Sequence, residues 1–479
     1  MKRIDVLPDD VLLEIFDFYG GPSSTSLVYG VHSRAETEAW QSLVHVCRRW
    51  RSLVFGSPRR MNLRLWCTPK TPAKDTLFIW PALPLIVGPG GNTDSSSGTD
   101  NIIAALGQSN RVCQVFLRLP GWQLEEVLAA MHVPFPELTD LQLSLYDENP
   151  PVRVIPDSFL DGSAPRLQNF LMSGILFPGF PKLILSATHL VYLGLFDIPH
   201  SGYISPEAMV ALLSVLSSLE DLSLHFRSPQ PRPDLESRRL PSPKRSTLPA
   251  LYFIYFRGVT EYLEELVTRI DTPQLQYMHI TFFNQIDFDI PRLAQFINCT
   301  PTLSPRALDE AHVQFNDTTA IVKFRHWASP PSHLENLRIN VSCREPDWQL
   351  SSIEQVCNSS LHPLFMAEDL YIEHQYSELV WKDGAIDNTL WLQLLLPFTA
   401  VKNLYLSKQF ASGIAAALQE LARGGITEVL PSLQNILVEG LEPSGSLRED
   451  IGQFVTARQL SGHPVAISEW VKDSAIESM

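Results

Sequence analysis

The sequence is poor in cysteine, and its six cysteines, at 47, 67, 113, 299, 343 and 357, form no CxxC pair. A zinc site or a dithiol redox centre built on such pairs is therefore not indicated. The scatter fits isolated thiols in a reducing compartment. Long apolar runs are missing too: nowhere do roughly 18 uncharged apolar residues follow one another, so no membrane span is expected. Asp5, Asp9, Asp10 and Glu14 interrupt what would have to be the apolar core of a secretory signal. HExxH, GxSxG and a GxGxxG set between strand and helix are all absent. The glycine-rich "GPGGNTDSSSGTD" (88–100) lacks the Gly-Lys-Ser/Thr ending that grips phosphates, and reads as a surface loop. Basic residues are outnumbered 37 to 52, for a net charge of -15. A nucleic-acid backbone would be repelled by that surface. These absences predict a cytoplasmic or nuclear protein with no cofactor, no metal and no catalysis of its own.

Charge is unevenly spread. Residues 1–64 carry 9 Lys+Arg against 7 Asp+Glu, whereas 65–479 carry 28 against 45. In the N-terminal stretch "IDVLPDDVLLEIFDFYG", Leu7-Pro8-Asp9-Asp10 reads as a helix entrance, with Pro8 at the first helical position and two carboxylates at the positive end of the dipole. Val11, Leu12, Ile15 and Phe16 then make an apolar stripe. A second stripe follows in "AWQSLVHVCRRWRSLVFGSPRR": Trp40, Leu43, Cys47, Trp50 and Val54, widened by Val46 and Leu53, with Arg48, Arg49 and Arg51 opposite. Spacing alone fits a plain helical hairpin packed on the rest of the chain.

The residues themselves go further. Leu-Pro-x-Asp-Val-Leu-x-x-Ile-Phe at 7–16, with Val46-Cys47-Arg48-Arg49-Trp50 and Leu53, resembles the F-box, a small helical module that docks on the Skp adaptor of cullin ubiquitin ligases. The resemblance implies adaptor contacts at Leu7, Pro8, Val11, Leu12, Ile15 and Phe16, and at Val46, Trp50 and Leu53. About fifteen residues near "GPSSTSLVYGVHSRAET" depart from the family pattern as a loop insertion, which closure entropy tolerates.

Beyond this module the chain repeats itself. An apolar residue at n, n+3 and n+5 recurs with n at Val112, Leu138, Leu167, Leu190, Leu219, Leu251, Leu275, Leu308, Leu334, Ala367, Val401 and Leu433. The steps run from 23 to 34 residues with a mean near 29, within the range of leucine-rich repeats. Helix-compatible runs lie between: 125–131, 206–219, 261–270, 389–398 and 413–422. The expectation is an α/β chain with an F-box domain at 1–60 and a connecting segment and possible first repeat at 61–110. A curved leucine-rich-repeat-like solenoid at 111–440, with parallel strands on its concave side, and a C-terminal cap at 441–479 complete it. An ordinary α/β protein of several βα units is the alternative. No asparagine ladder is read from the sequence. The segments 57–87 and 454–470 are similar to a large fungal group of F-box proteins with degenerate repeats.

The resemblance implies the target-recognition subunit of a Skp–cullin–F-box ubiquitin ligase, holding an unknown protein target; a scaffold that engages the adaptor without cullin stays open. Strand alternation turns n+2, n+4 and n+6 away from the buried positions. It nominates Tyr192, Phe196, Phe253, Tyr255, Arg257, Tyr277 and His279 as the target face, beside Asp221, His225, Asn336, Arg338, Tyr371 and Tyr405. The proline-rich basic run 228–247 reads as a solvated insertion. Asn298-Cys299-Thr300 and Asn316-Asp317-Thr318 match the glycosylation pattern by chance.

Overall fold

The computed structural model describes residues 7–20, 40–57, 63–70, 73–88, 97–145, 153–176, 182–229, 245–286, 288–303, 310–325, 336–359, 361–374, 388–424, 429–442 and 446–471. The insertion at 21–37, most of the glycine-rich stretch and most of the basic run 228–247 lie outside them; Ser97–Asp100, at the end of that stretch, open a helix, Ser97–Leu106. The architecture is mixed α/β. Contacts divide the chain into two compact units, Met1–Leu195 and Phe196–Met479, and the division falls inside the strand Tyr192–Ile198. Among the described residues no helix is long and apolar enough to cross a membrane, and no group of three His, Cys, Asp or Glu could hold a metal ion.

In the first unit the helices Asp9–Gly20, Trp40–Val44 and Arg48–Gly56 precede a parallel sheet in the order Leu65–Cys67, Leu85–Val87, Val112–Leu119, Asp140–Leu145, Asn169–Ser173. In the second unit the sheet runs Asp221–Phe226, Phe253–Gly258, Tyr277–Phe283, Leu337–Ser342, Thr319–Arg325, Glu310–Phe315, Asp369–His374, Asn403–Leu406, Asn435–Glu439, Ala466–Trp470. Every one of the twelve hexapeptides runs into a strand, and the residues at n+3 and n+5 are buried in all of them.

The entry to seven of these strands explains why. The amide of the residue at n closes a turn onto the carbonyl of n-3: Leu138 onto Phe135, Leu167 onto Ala164, Leu219 onto Leu216, Leu251 onto Leu248 and Leu433 onto Leu430. The carbonyl at n+1 then accepts two amides from the next unit. Thr139 takes Gln168 and Asn169, Glu220 takes Tyr252 and Phe253, and Lys402 takes Gln434 and Asn435. One turn and one forked bond thus satisfy the backbone where strand meets loop, a point at which unpaired groups would be costly.

One region departs from the expected parallel order. Thr319–Arg325 is antiparallel to both its neighbours, so Glu310–Phe315 and Leu337–Ser342 exchange the places that chain order would give them. The tight turn that starts it is Asn316-Asp317-Thr318. The Asn316 side chain accepts from the amides of Thr318 and Thr319 at 3.0 and 2.9 Å, and this turn chemistry accounts for the glycosylation-like triplet. Gln349, buried on the helix Pro346–Asn358, donates to the carbonyls of Asn316 and Cys343 at 2.8 and 2.7 Å and holds the hairpin in place.

Helices cover the n+3/n+5 face. Trp391 of Asn388–Leu395 and Phe410 of Lys408–Gly424 pack on Phe315 with ring centroids 6.1 and 5.2 Å away. The helix Pro291–Cys299 begins after Ile290, which offers no side-chain cap, and Glu264 of the helix Thr260–Val267 takes that role. Its carboxylate accepts the amides of Leu293 at 2.6 Å and Arg292 at 3.1 Å, while burial raises its pKa. Glu264→Ala is expected to destabilise the second unit by about 2 kcal/mol, since two amides lose a charged acceptor in a buried place. Glu264→Gln, which keeps one acceptor, should lose less than half of that; equal losses in urea titrations would show that the acceptor kept by Gln contributes nothing.

Candidate functional site

Two surfaces hold the residues nominated from sequence. The first is the N-terminal helical group. The helix starts at Asp9, one residue later than expected, and exposed Pro8 contributes the carbonyl that accepts the Leu12 amide. Arg49 fastens this entrance to the third helix: its guanidinium donates to Asp9 Oδ1 and to the Leu7 carbonyl, each at 2.6 Å. The second stripe is broken at His45–Cys47 into two helices, because Cys47 is extended and its Sγ caps the amide of Trp50. Leu12 and Phe16 turn inward, with the Phe16 ring tilted against half-buried Trp50 at 4.7 Å between centroids. Val54, Trp40 and Leu43 complete the small core; Leu7 and Leu53 are half-buried. Val11, Ile15 and Phe18, spaced i, i+4 and i+7, form a stripe that is 38, 46 and 85% exposed, and Val46 is 58% exposed.

The second surface is the n+2/n+4/n+6 face of the sheet in the second unit. Tyr192 belongs to the first unit; Phe196, Phe253, Tyr255, Arg257, Tyr277 and His279 belong to the second and are all half-buried. Aligned strands bring them into ring contact. His225 meets Phe196 at 4.5 Å and Tyr255 at 4.0 Å, both edge-on. Phe253 meets His279 at 5.1 Å, Tyr252 meets Tyr277 at 5.0 Å, and the Arg257 guanidinium lies 5.5 Å from the Phe283 ring.

One row crosses seven neighbouring strands in register: Tyr255, His279, Arg338, Lys323, His312, Tyr371, Tyr405. Its middle is basic. Its far end stacks, His312 on Tyr371 at 4.4 Å and Tyr371 on Tyr405 at 4.2 Å, with Trp470 edge-on to Tyr405 and tilted to Tyr371. Glu373 receives Gln314 Nε2 at 2.8 Å and sits 3.3 Å from His312 Nδ1, while Glu310 sits 3.5 Å from Nε2. The row is thus cationic toward Arg257 and carboxylate-rich toward Trp470. His312, Glu310 and Glu373 were not nominated from sequence, although His312 and Glu310 occupy n+4 and n+2 of the Leu308 unit. Lys323 could have been found from the alternation Ala320, Val322, Phe324 after a turn.

Short mixed polar ladders, not a continuous run of asparagines, stand at the strand entries. At n+2, Asp140 accepts from Gln114 at 2.8 Å and Asn169 at 2.6 Å. In the second unit Asn435 donates to Asn403 at 2.7 Å and Asn403 to Asp369 at 2.6 Å. In the central units Phe253 and Tyr277 take the same place.

Asp221 and His225 titrate in opposite senses. Burial raises the Asp221 carboxyl from 3.8 to about 7, against a lowering bond from Ser223. Burial, then the charge of Arg257, lowers His225 from 6.5 to about 4. A raised folded-state pKa gives stability that is complete below pH 3.8 and lost as pH rises through 7; the lowered His225 gives stability present above pH 6.5 and lost as pH falls through 4. Asp221→Asn is therefore expected to leave stability near pH 4 unchanged and to raise it by about 2 kcal/mol at pH 8, discounted for partial exposure. Denaturant midpoints at the two pH values check this; a variant less stable at pH 8 would contradict it.

Compared with known proteins, the chain matches no family model, and no curated protein matches it.

Proposed function

We propose that the chain is the target-holding subunit of a Skp–cullin–F-box ubiquitin ligase. The observation that carries this reading is the stripe Val11, Ile15 and Phe18 beside Val46, left exposed on a helical group whose own core is already filled by Leu12, Phe16, Trp40 and Val54. Apolar surface of this kind on a small helical module suits docking of another protein. The Leu-Pro-x-Asp-Val-Leu-x-x-Ile-Phe pattern supports the adaptor as that protein. The βα units beyond it are read as a leucine-rich-repeat-like solenoid, supported by the recurring turn and forked bond, and the row from Tyr255 to Tyr405 as the target face. The mechanism is proximity: the target's lysines are held at high effective concentration near a ubiquitin-loaded enzyme, in the cytoplasm or nucleus, and the chain itself makes no bonds. Affinity purification of the tagged full-length chain tests it. Adaptor and cullin together are the expected result; adaptor without cullin returns the scaffold reading, and neither protein overturns the proposal.

A further inference from the structure

We infer that His225 and Arg257 form a seat for an oxyanion, a carboxylate or a phosphoryl group carried by the captured chain. The two residues are direct partners across parallel strands, Arg257 opposite His225. His225 is only 9% exposed, and its Nε2 has no hydrogen-bond partner; the buried Nε of Arg257 has none either. Arg257 makes no ion pair among the described residues: its contact is the Phe283 ring, and its other register neighbour is Thr281. The surroundings are aromatic, with Phe196 and Tyr255 edge-on to the imidazole and Phe283 beneath the guanidinium.

Such an arrangement is costly when empty. Two nitrogens withdrawn from water without partners, one of them on a permanent cation, are left to a ligand to satisfy. The ligand must bring negative charge and acceptor oxygens together, which selects an oxyanion over an alcohol or an amide. The lowered pKa keeps the imidazole neutral at neutral pH, and a neutral imidazole still donates from Nε2 in one tautomer. Arg338, nearby in the row, is different in kind: its Nε already donates to Asn340 Oδ1 at 3.0 Å. That the oxyanion belongs to a protein rests on the target-face reading above; the seat itself rests on the geometry alone.

Calorimetric titration of the full chain with inorganic phosphate, and separately with acetate, at constant ionic strength tests the seat. Saturable binding of at least one anion is expected. Phosphate alone identifies a phosphoryl ligand, acetate alone a carboxylate. Arg257→Gln should weaken that binding by about tenfold or more, because a charge-assisted pair is lost. His225→Phe, which keeps the ring contacts, should weaken it by a smaller factor. Arg166→Gln, on an exposed ion pair with Glu137 in the first unit, should leave it unchanged. Should Arg257→Gln fail to fold by circular dichroism, Arg257→Lys keeps the charge without Nε and carries the comparison. Absence of saturable binding by either anion, or wild-type affinity in the Arg257 variant, overturns the inference. Adaptor capture by Arg257→Gln should match wild type, so failure of the seat and failure of the ligase reading are told apart.

Discussion

Ile15→Asp combined with Val46→Asp is expected to weaken capture of purified Skp adaptor by at least about 100-fold, the effect of removing two central interface anchors. The folding of the helical group should not change, because both side chains stand in solvent, 46 and 58% exposed, and exposed substitutions seldom alter stability. Phe16→Asp is not a comparable test. Phe16 is 1% exposed and packed against Trp50, so a carboxylate there would empty the small core and abolish binding by unfolding it. Leu12 carries the same objection. Arg49→Ala should fall between: the helix entrance at Leu7 and Asp9 would loosen, lowering affinity through positioning while the apolar stripe stays intact. Surface plasmon resonance on the full chain, with circular dichroism of each variant, separates these cases. Wild-type affinity in the Ile15/Val46 double variant would end the F-box reading.

The strands were legible because each needs the same buried set, and three apolar residues at n, n+3 and n+5 follow from one turn into one strand. The residue at n-3 belongs to that set as well, but Phe135, Ala164, Leu216, Leu248 and Thr272 differ too much in kind to announce themselves. Alternation likewise placed Tyr255, Arg257 and His279 on one face without knowledge of their neighbours. What sequence could not supply was adjacency. Glu373 meets His312 and Gln314 across about sixty residues, and only the reversal at Asn316-Asp317-Thr318 sets Lys323 between Arg338 and His312. The polar ladders were hidden for a similar reason: Gln, Asp and Asn at n+2 share a function only once the strands stand side by side. At the N-terminus the amphipathic stripe concealed the break at Cys47, since a thiol at an apolar position can equally be a helix cap.

Phe256→Ala is expected to destabilise the second unit by about 4 kcal/mol, the usual cost of emptying a buried aromatic site. Phe256 is 1% exposed and belongs to a ring group: Phe226 at 6.3 Å, Tyr262 stacked at 5.8 Å, and Tyr203 6.0 Å beyond Tyr262. Gly258 is the complement of that ring. A Cβ at 258 would stand 2.5 Å from Phe256 Cζ and 3.2 Å from Phe226 Cδ2, so the strand ends on a residue with no side chain because the Phe256 ring already fills the space. Gly258→Ala alone should therefore cost about 2–3 kcal/mol through overpacking. With Phe256→Ala already present the same methyl meets a cavity, and adding it should cost close to nothing. The two changes are thus expected to be strongly non-additive, with a coupling of about 2 kcal/mol in a double-mutant cycle measured by urea unfolding. Additive losses would mean that Gly258 is required by something other than the Phe256 ring, and that the ring group is not the keystone of this end of the sheet.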